Sequence, residues 1–245
     1  MPFETAATSL RGDRAVNQDR CEIVLRDEHV LLLLADGMGG HERGELAAEV
    51  FVDSMAAQFR ELATPSGDPH RFLEQACSRA HTDIVQAGEA EQPPAKPLTT
   101  GIVCLVRNAN AWWAHAGDSR LYLLRDGRTI HRTQDHSMVE ELIRQGEITE
   151  SERESHPLRN YVTRAFGGAP APPRISLSEK TALQPGDVLL LCSDGLWSGI
   201  AEAELTRLCT TPQLEEAVAA LAAEAEKNTT PYSDNITLLV LRMAP

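Results

Sequence analysis

The chain has 245 residues, 42% hydrophobic and 24% charged, with 23 Lys and Arg against 36 Asp and Glu and a formal net charge of −13. A chain of this length can bury roughly three quarters of its unfolded surface in one domain, so it needs no disulfide framework or structural metal to build a core. The acidic balance without a Lys/Arg cluster excludes a nucleic-acid footprint, and cysteines at 21, 77, 104, 192 and 209 with no CxxC pair exclude a zinc knuckle or a thioredoxin-like site.

The apolar run 30–35 is far short of the roughly 20 residues a membrane span needs. The opening residues MPFETAATSLRGD have neither a basic start nor an apolar stretch. The expectation is a cytoplasmic protein whose five cysteines are reduced and structural.

In chain order, 20–26 and 30–35 are short, apolar and β-prone and are joined by the polar turn 27–29, which predicts an antiparallel hairpin. Over 44–62 apolar residues recur at spacings of three and four, predicting a helix, and 69–87 predicts a second with Phe72, Ala76, Ala80 and Ile84 on one face. The proline-rich 89–97 reads as a surface loop. Strands are expected at 101–107, 111–116, 121–125 and 129–132, separated by the turn signals 108–110 and Asp126-Gly127. A short helix at 137–145 and another headed by Thr149 precede the Gly167-Gly168 and 170–173 breaks. Strands are then expected at 174–177 and 187–192, helices at 202–209 and 212–227, and a closing strand at 235–241. This order lacks regular βαβ alternation and predicts an α+β sandwich with mainly antiparallel sheets.

The runs LLLLADG and LLLCSDG each end a buried-type strand in Asp-Gly, at Asp36 and Asp194, and AWWAHAGDSR places Asp118 in the same position. Asp19 and Asp234 stand at strand beginnings. In antiparallel sheets the end of one strand lies beside the start of its neighbour, so all five carboxylates can share one edge. Such a cluster cannot stay ionised without a compensating cation. An all-oxygen donor set suits magnesium, manganese or calcium rather than zinc or copper, and the absence of DxDxDG spacing weakens calcium sensing. Asp-Gly after a strand is also an ordinary turn signal, so spacing alone leaves a turn and a binuclear hydrolytic centre both open.

Taken together, the motifs Arg14-Ala-Val-Asn17-Gln18-Asp19, Asp36-Gly37-Met38-Gly39-Gly40, Thr99-Thr100-Gly101, Gly117-Asp118-Ser119-Arg120, Asp135-His136-Ser137, Ser193-Asp194-Gly195-Leu196-Trp197 and Asp234-Asn235 resemble, in identity and order, the metal-dependent type-2C serine/threonine protein phosphatases in their compact bacterial form. The resemblance implies a four-layer α/β/β/α sandwich, two central antiparallel sheets flanked by helix pairs, in a single domain over 1–245. It implies two manganese or magnesium ions bound by Asp36, the Gly37 carbonyl, Asp194 and Asp234, with a weaker third site at Asp118 and Asp194. It also implies a metal-bridging hydroxide that attacks phosphorus directly, Arg14 gripping the phosphate, and Asp19 orienting metal-bound water. The expected partners are phosphorylated serine/threonine proteins and a cognate bacterial kinase, and the simplest expected state is a monomer.

Two departures from the family pattern stand out. Met38 occupies a position where many relatives carry histidine, which removes that general acid, and Gln18 replaces a glutamate, leaving a neutral residue able to orient water but not to act as a base. His136 is expected to fix the turn beside the site, His41 either to line the site or to cap the helix near Gly44, and His115 to pack. Trp112, Trp113 and Trp197 read as core or rim, and Thr99-Thr100 as a β-prone pair opening a strand. The segment 137–168, with six Glu, corresponds to the flap of bacterial relatives and is expected to bias substrate specificity. The alternatives are a catalytically silent phosphatase-fold binding protein and a different two-metal hydrolase. Intact Arg14 and carboxylates weigh against the first, missing His ligands and the acidic surface against the second.

Overall fold

The computed structural model describes residues 3–38, 43–62, 67–153 and 155–244; His41, Gly39 and Gly40 lie outside the described residues. The strands are β1 (Phe3–Leu10), β2 (Asp19–Arg26), β3 (His29–Met38), β4 (Leu98–Thr99), β5 (Gly101–Arg107), β6 (Asn110–Ala116), β7 (Arg120–Arg125), β8 (Arg128–Arg132), β9 (Phe166–Gly167), β10 (Ser176–Leu177), β11 (Thr181–Ala182), β12 (Val188–Cys192) and β13 (Ile236–Met243). The helices are α1 (Gly44–Glu61), α2 (Pro69–Ala90), α3 (Met138–Gln145), α4 (Asp194–Gly199), α5 (Glu202–Leu205) and α6 (Leu214–Thr229).

Two antiparallel sheets form the centre. One runs β1-β13-β12-β7-β8; the other runs β10-β6-β5-β3-β4-β9, with β2 on β3 and β11 on β6. The leucine run of β3 shows why a strand can be apolar on every residue. Leu32 and Leu34 pack with Ile102 and Cys104 against Leu121, Leu189 and Leu239 between the sheets. Leu31, Leu33 and Ala35 face Phe51, Met55 and Phe59 of α1 and Leu73 of α2. A strand buried on both faces loses the polar alternation of a half-exposed one. On the opposite side Leu190, Cys192 and Leu238 pack beneath Leu196 of α4 and Leu214, Val218 and Leu221 of α6. The layers are therefore helices, sheet, sheet, helices, as expected. Among the described residues no helix is long and apolar enough to cross a membrane.

Several expectations need correction. The segment from Thr149 is a single 3-10 turn, Glu150–Glu152, held by a Thr149/Glu152 capping box, because so short a segment cannot recover the entropy of helix nucleation. Residues 202–209 divide into α5 and the 3-10 turn Thr206–Cys209. Only Ser176–Leu177 of 174–177 pairs as a strand. Asp194 opens α4 rather than a plain turn. The chain also begins with β1, which the sequence reading did not anticipate. It pairs along its whole length with β13 but buries only Ala6 among its residues, so it carries no apolar stripe.

Candidate metal centre and active site

The sheets bring the five carboxylates to one end of the sandwich. Asp19 and Asp36 face each other directly across the β2–β3 pair. Cys192, the last residue of β12, is opposite both Leu238 of β13 and Arg120 of β7. Asp194 therefore emerges beside Asp234, which precedes β13, and beside Asp118 in the bend before β7. Asp36 feels the charges of Asp19, Asp194, Asp118 and Asp234 in addition to its burial, and its carboxyl is held well above the usual range. Burial first, then Asp118 and Asp234, raises Asp194 as well. Burial pushes Asp118 up to about 7 and Asp19 up to about 6. This is the electrostatic signature of acids gathered where water cannot screen them.

The surrounding hydrogen bonds set each acid in place. Ser193 Oγ donates to Asp19 Oδ2 at 2.7 Å and accepts from the Thr237 backbone N–H at 3.0 Å. Asp19 Oδ1 is buried with no hydrogen-bond partner. Thr99 Oγ1 donates to the Asp36 carbonyl at 2.9 Å, and Thr100 Oγ1 accepts from the Asp36 N–H at 3.1 Å. The threonine pair thus brackets Asp36, more than the β-prone opening expected of it. Asn235 Oδ1 accepts from the Gln18 N–H at 2.8 Å, and its amide donates to the carbonyls of Arg11 and Val16, which ties the Arg14 loop to β13. Ser193 and Asn235 lay inside recognised motifs, but no local spacing marks them as partners of residues some two hundred positions away.

Gly37 sits against the start of α1, where an added Cβ would meet the Gly44 carbonyl oxygen at 2.3 Å. Gly117, before Asp118, has φ +114°, a region closed to most side chains. Gln18 turns its amide to Glu45 Oε2 at 3.0 Å. Arg14 binds Asp234 Oδ2 at 2.6 Å. His136 accepts the Gly117 N–H at Nδ1, 3.2 Å away, stacks on His115 at 4.5 Å, and contacts Ser176 Oγ through Nε2 at 2.9 Å. Burial, then His115 and Arg164, lowers its pKa to about 3, so it stays neutral.

Arg14, Asp118, Asp194 and Asp234 line a cleft of about 440 Å³. Its wall also contains Arg159 and Asn160 of segment 137–168, together with Arg153 and Tyr232, to which the sequence had assigned no role. Arg120 grips Asp135 with two bonds of 2.9 and 2.7 Å and lies 3.8 Å from the centre of the Trp197 ring, whose Nε1 donates to the Asp118 carbonyl. Arg153 joins Asp135 at 3.3 Å and pairs with Glu140 and Glu150.

As they stand, no three His, Cys, Asp or Glu side chains among the described residues are close enough to hold an ion, and Asp234 is occupied by Arg14. The donor set nevertheless fits a hard divalent cation: it is all oxygen, its acids resist common ionisation, and one buried carboxylate oxygen has no partner.

Residues 7–236 match the family described as Protein phosphatase 2C. The chain belongs to this family. Among its relatives, the serine/threonine protein phosphatase PstP of Mycobacterium tuberculosis is 35% identical over 237 residues, 96% of this chain and 44% of PstP. The chain therefore spans less than half the length of that relative. The protein phosphatase PhpP of Streptococcus pneumoniae is 31% identical over 252 residues, 96% of this chain and 95% of PhpP. Among solved structures, the catalytic domain of PstP in complex with two manganese ions superposes with a TM-score of 0.83 at 32% identity, covering 99% of each chain. The protein phosphatase 2C architecture thus accounts for the two sheets and their helical covers.

Proposed function

We propose that this chain is a metal-dependent phosphatase of phosphoserine and phosphothreonine in proteins. The observation that carries the reading is the convergence of five acids, from five separate segments, at the end of the sheets where Arg14 also stands. The serine/threonine phosphatase names of the relatives, and the two manganese ions of one matched structure, support it.

Asp36, the Gly37 carbonyl, Asp194 and Asp234 would hold a pair of manganese or magnesium ions, and Asp118 with Asp194 a weaker third. Two such ions, when bound, supply a water nucleophile at neutral pH for direct attack on phosphorus and offset charge on the phosphoryl oxygens. Arg14 exchanges Asp234 for the substrate phosphate, which its guanidinium can bind through two parallel N–H donors. Asp19, fixed by Ser193 opposite Asp36, orients water from behind the ligands. Gln18 serves through its backbone, since its amide is committed to Glu45.

No histidine among the described residues lines the cleft, and His136 supports the Gly117 bend as a neutral ring. We assign the proton of the leaving oxygen to water. We read the chain as one catalytic unit with a flap over 137–168, a cytoplasmic monomer acting on the products of a bacterial serine/threonine kinase.

Phosphate release from a phosphothreonine peptide, with manganese, with chelator and in Asp36→Asn, tests this. The expected result is turnover that needs metal and falls by about 10²-fold or more in the variant, the scale of losing one charge-stabilising group. A metal-loaded wild type inert on phosphothreonine, phosphoserine and an aryl phosphate would overturn it in favour of a phosphatase-fold binding protein.

A further inference from the structure

Arginines are nearly balanced by acids around the cleft, and the exception lies on the flap. Arg14 is paired with Asp234, and Arg153 with Asp135, Glu140 and Glu150. Asp135 is shared by Arg120 and Arg153, so its charge is already offset. Arg159 lines the same cleft, yet among the described residues it has no carboxylate partner. Its backbone N–H is bonded to the His156 carbonyl, and the Tyr161 N–H to the Leu158 carbonyl. Consecutive tight turns thus present Arg159 and Asn160 to the cleft, with Tyr232, 89% exposed, also on its wall. A guanidinium held on a turn, in a protein of net charge −13, is a local exception to a field that repels anions.

Resting on the phosphatase reading above, we propose that Arg159 is a specificity-determining residue that binds a second anionic group on the substrate, beside the phosphoamino acid that Arg14 and the metal centre engage. The chemistry it recognises is a carboxylate or a second phosphate. Both fit a planar fork of N–H donors. The preferred substrate is therefore an acidic or doubly phosphorylated segment, and the flap acts as the reader of its flank.

The test compares kcat/KM for three phosphothreonine peptides that differ at the flanking positions: alanine, aspartate, or a second phosphothreonine. Each is measured with manganese-loaded wild type, Arg159→Ala, Arg159→Lys and Arg144→Ala. The quantity read is the anionic-to-neutral ratio within each protein, so a general change in activity cancels. Wild type is expected to favour an anionic flank by about two- to fivefold, the range an exposed ion pair supplies, and to lose that preference as salt rises. Arg159→Ala should bring the ratio to one and Arg159→Lys should keep part of it. Arg144→Ala, which removes a flap arginine paired with Glu141 outside the cleft, should leave the ratio intact.

The two anionic peptides distinguish carboxylate from phosphate as the group read. A ratio of one in wild type, a ratio unchanged in Arg159→Ala, or an equal loss in Arg144→Ala would overturn the proposal. Absence of turnover on every peptide and on an aryl phosphate would instead defeat the phosphatase reading beneath it.

Discussion

At the scale of single residues, the site is a competition for Asp234. Its Oδ2 lies 2.6 Å from Arg14, although the proposed chemistry gives Asp234 to an ion and Arg14 to a phosphate. If the arginine is a substrate ligand rather than a structural tie, removing it must hurt turnover without weakening the metal centre. Arg14→Ala is accordingly expected to lower kcat/KM by roughly 10- to 100-fold, the scale of a lost charged hydrogen bond. Manganese affinity, read by calorimetry, should hold or rise because Asp234 is released; a parallel loss of affinity would make Arg14 a support of the ligand set. The candidate residues themselves were legible as types and positions, since acids at strand ends are a local pattern. Their partners were not. Ser193 donates to Asp19 across 174 positions and Asn235 accepts from Gln18 across 217, distances in sequence over which no periodicity operates.

At the scale of elements, segment 137–168 is joined to the sandwich by a buried ionic node. Arg153 is almost fully buried and bridges Asp135, itself clamped by Arg120 of β7, to Glu140 of α3 and Glu150. Removing one member of a buried pair leaves uncompensated charge, so Arg153→Ala should cost about 3 kcal/mol. Hydrogen exchange is expected to quicken over 138–162 while β3 and β12 stay protected; uniform destabilisation would mean that the node supports the sandwich and not the flap. The helices and central strands were readable because each carries its own apolar periodicity. The 3-10 turn Glu150–Glu152 carries no helical period, because its order comes from one capping box and a few ion pairs. β1 went unnoticed because its polar residues gain their order from pairing with β13 at the far end of the chain.

At the scale of the whole molecule, acid stability reports on the same buried groups. His136, with pKa lowered to about 3, is neutral when folded but takes a proton near pH 6.5 when unfolded. Between these values the unfolded chain binds more protons, so this histidine makes stability fall as pH drops from about 6.5 towards 3. Stacked His115 is lowered by burial too and adds in the same direction. Asp19 and Asp118, raised to about 6 and about 7, act oppositely: their folded forms hold protons that the unfolded chain has released, so their contribution fades as pH rises through the same range. The difference between wild type and His136→Gln isolates the imidazole. Urea unfolding at pH 7.0, 5.5 and 4.5 should show wild type losing stability relative to the variant by about 1 kcal/mol per pH unit. A constant difference would mean that His136 takes up its proton in the fold as readily as in the unfolded chain.

By itself, the sequence determined an order of strands and helices that suits an α+β sandwich with mainly antiparallel sheets, because hydrophobic period and turn chemistry are local properties of a chain; the two sheets with helical covers were implied by the family resemblance of its motifs. It also marked Asp36 and Asp194, because Asp followed by Gly after an apolar run can be read in a few residues, but that spacing left a turn and a metal centre both open. Only the tertiary structure decided that Asp19 faces Asp36, that Ser193 and Asn235 lock loops from opposite ends of the chain, and that Arg153 and Arg159 reach the cleft. Those relations depend on strand register and on burial shared between distant segments, and neither exists until the two sheets have packed together.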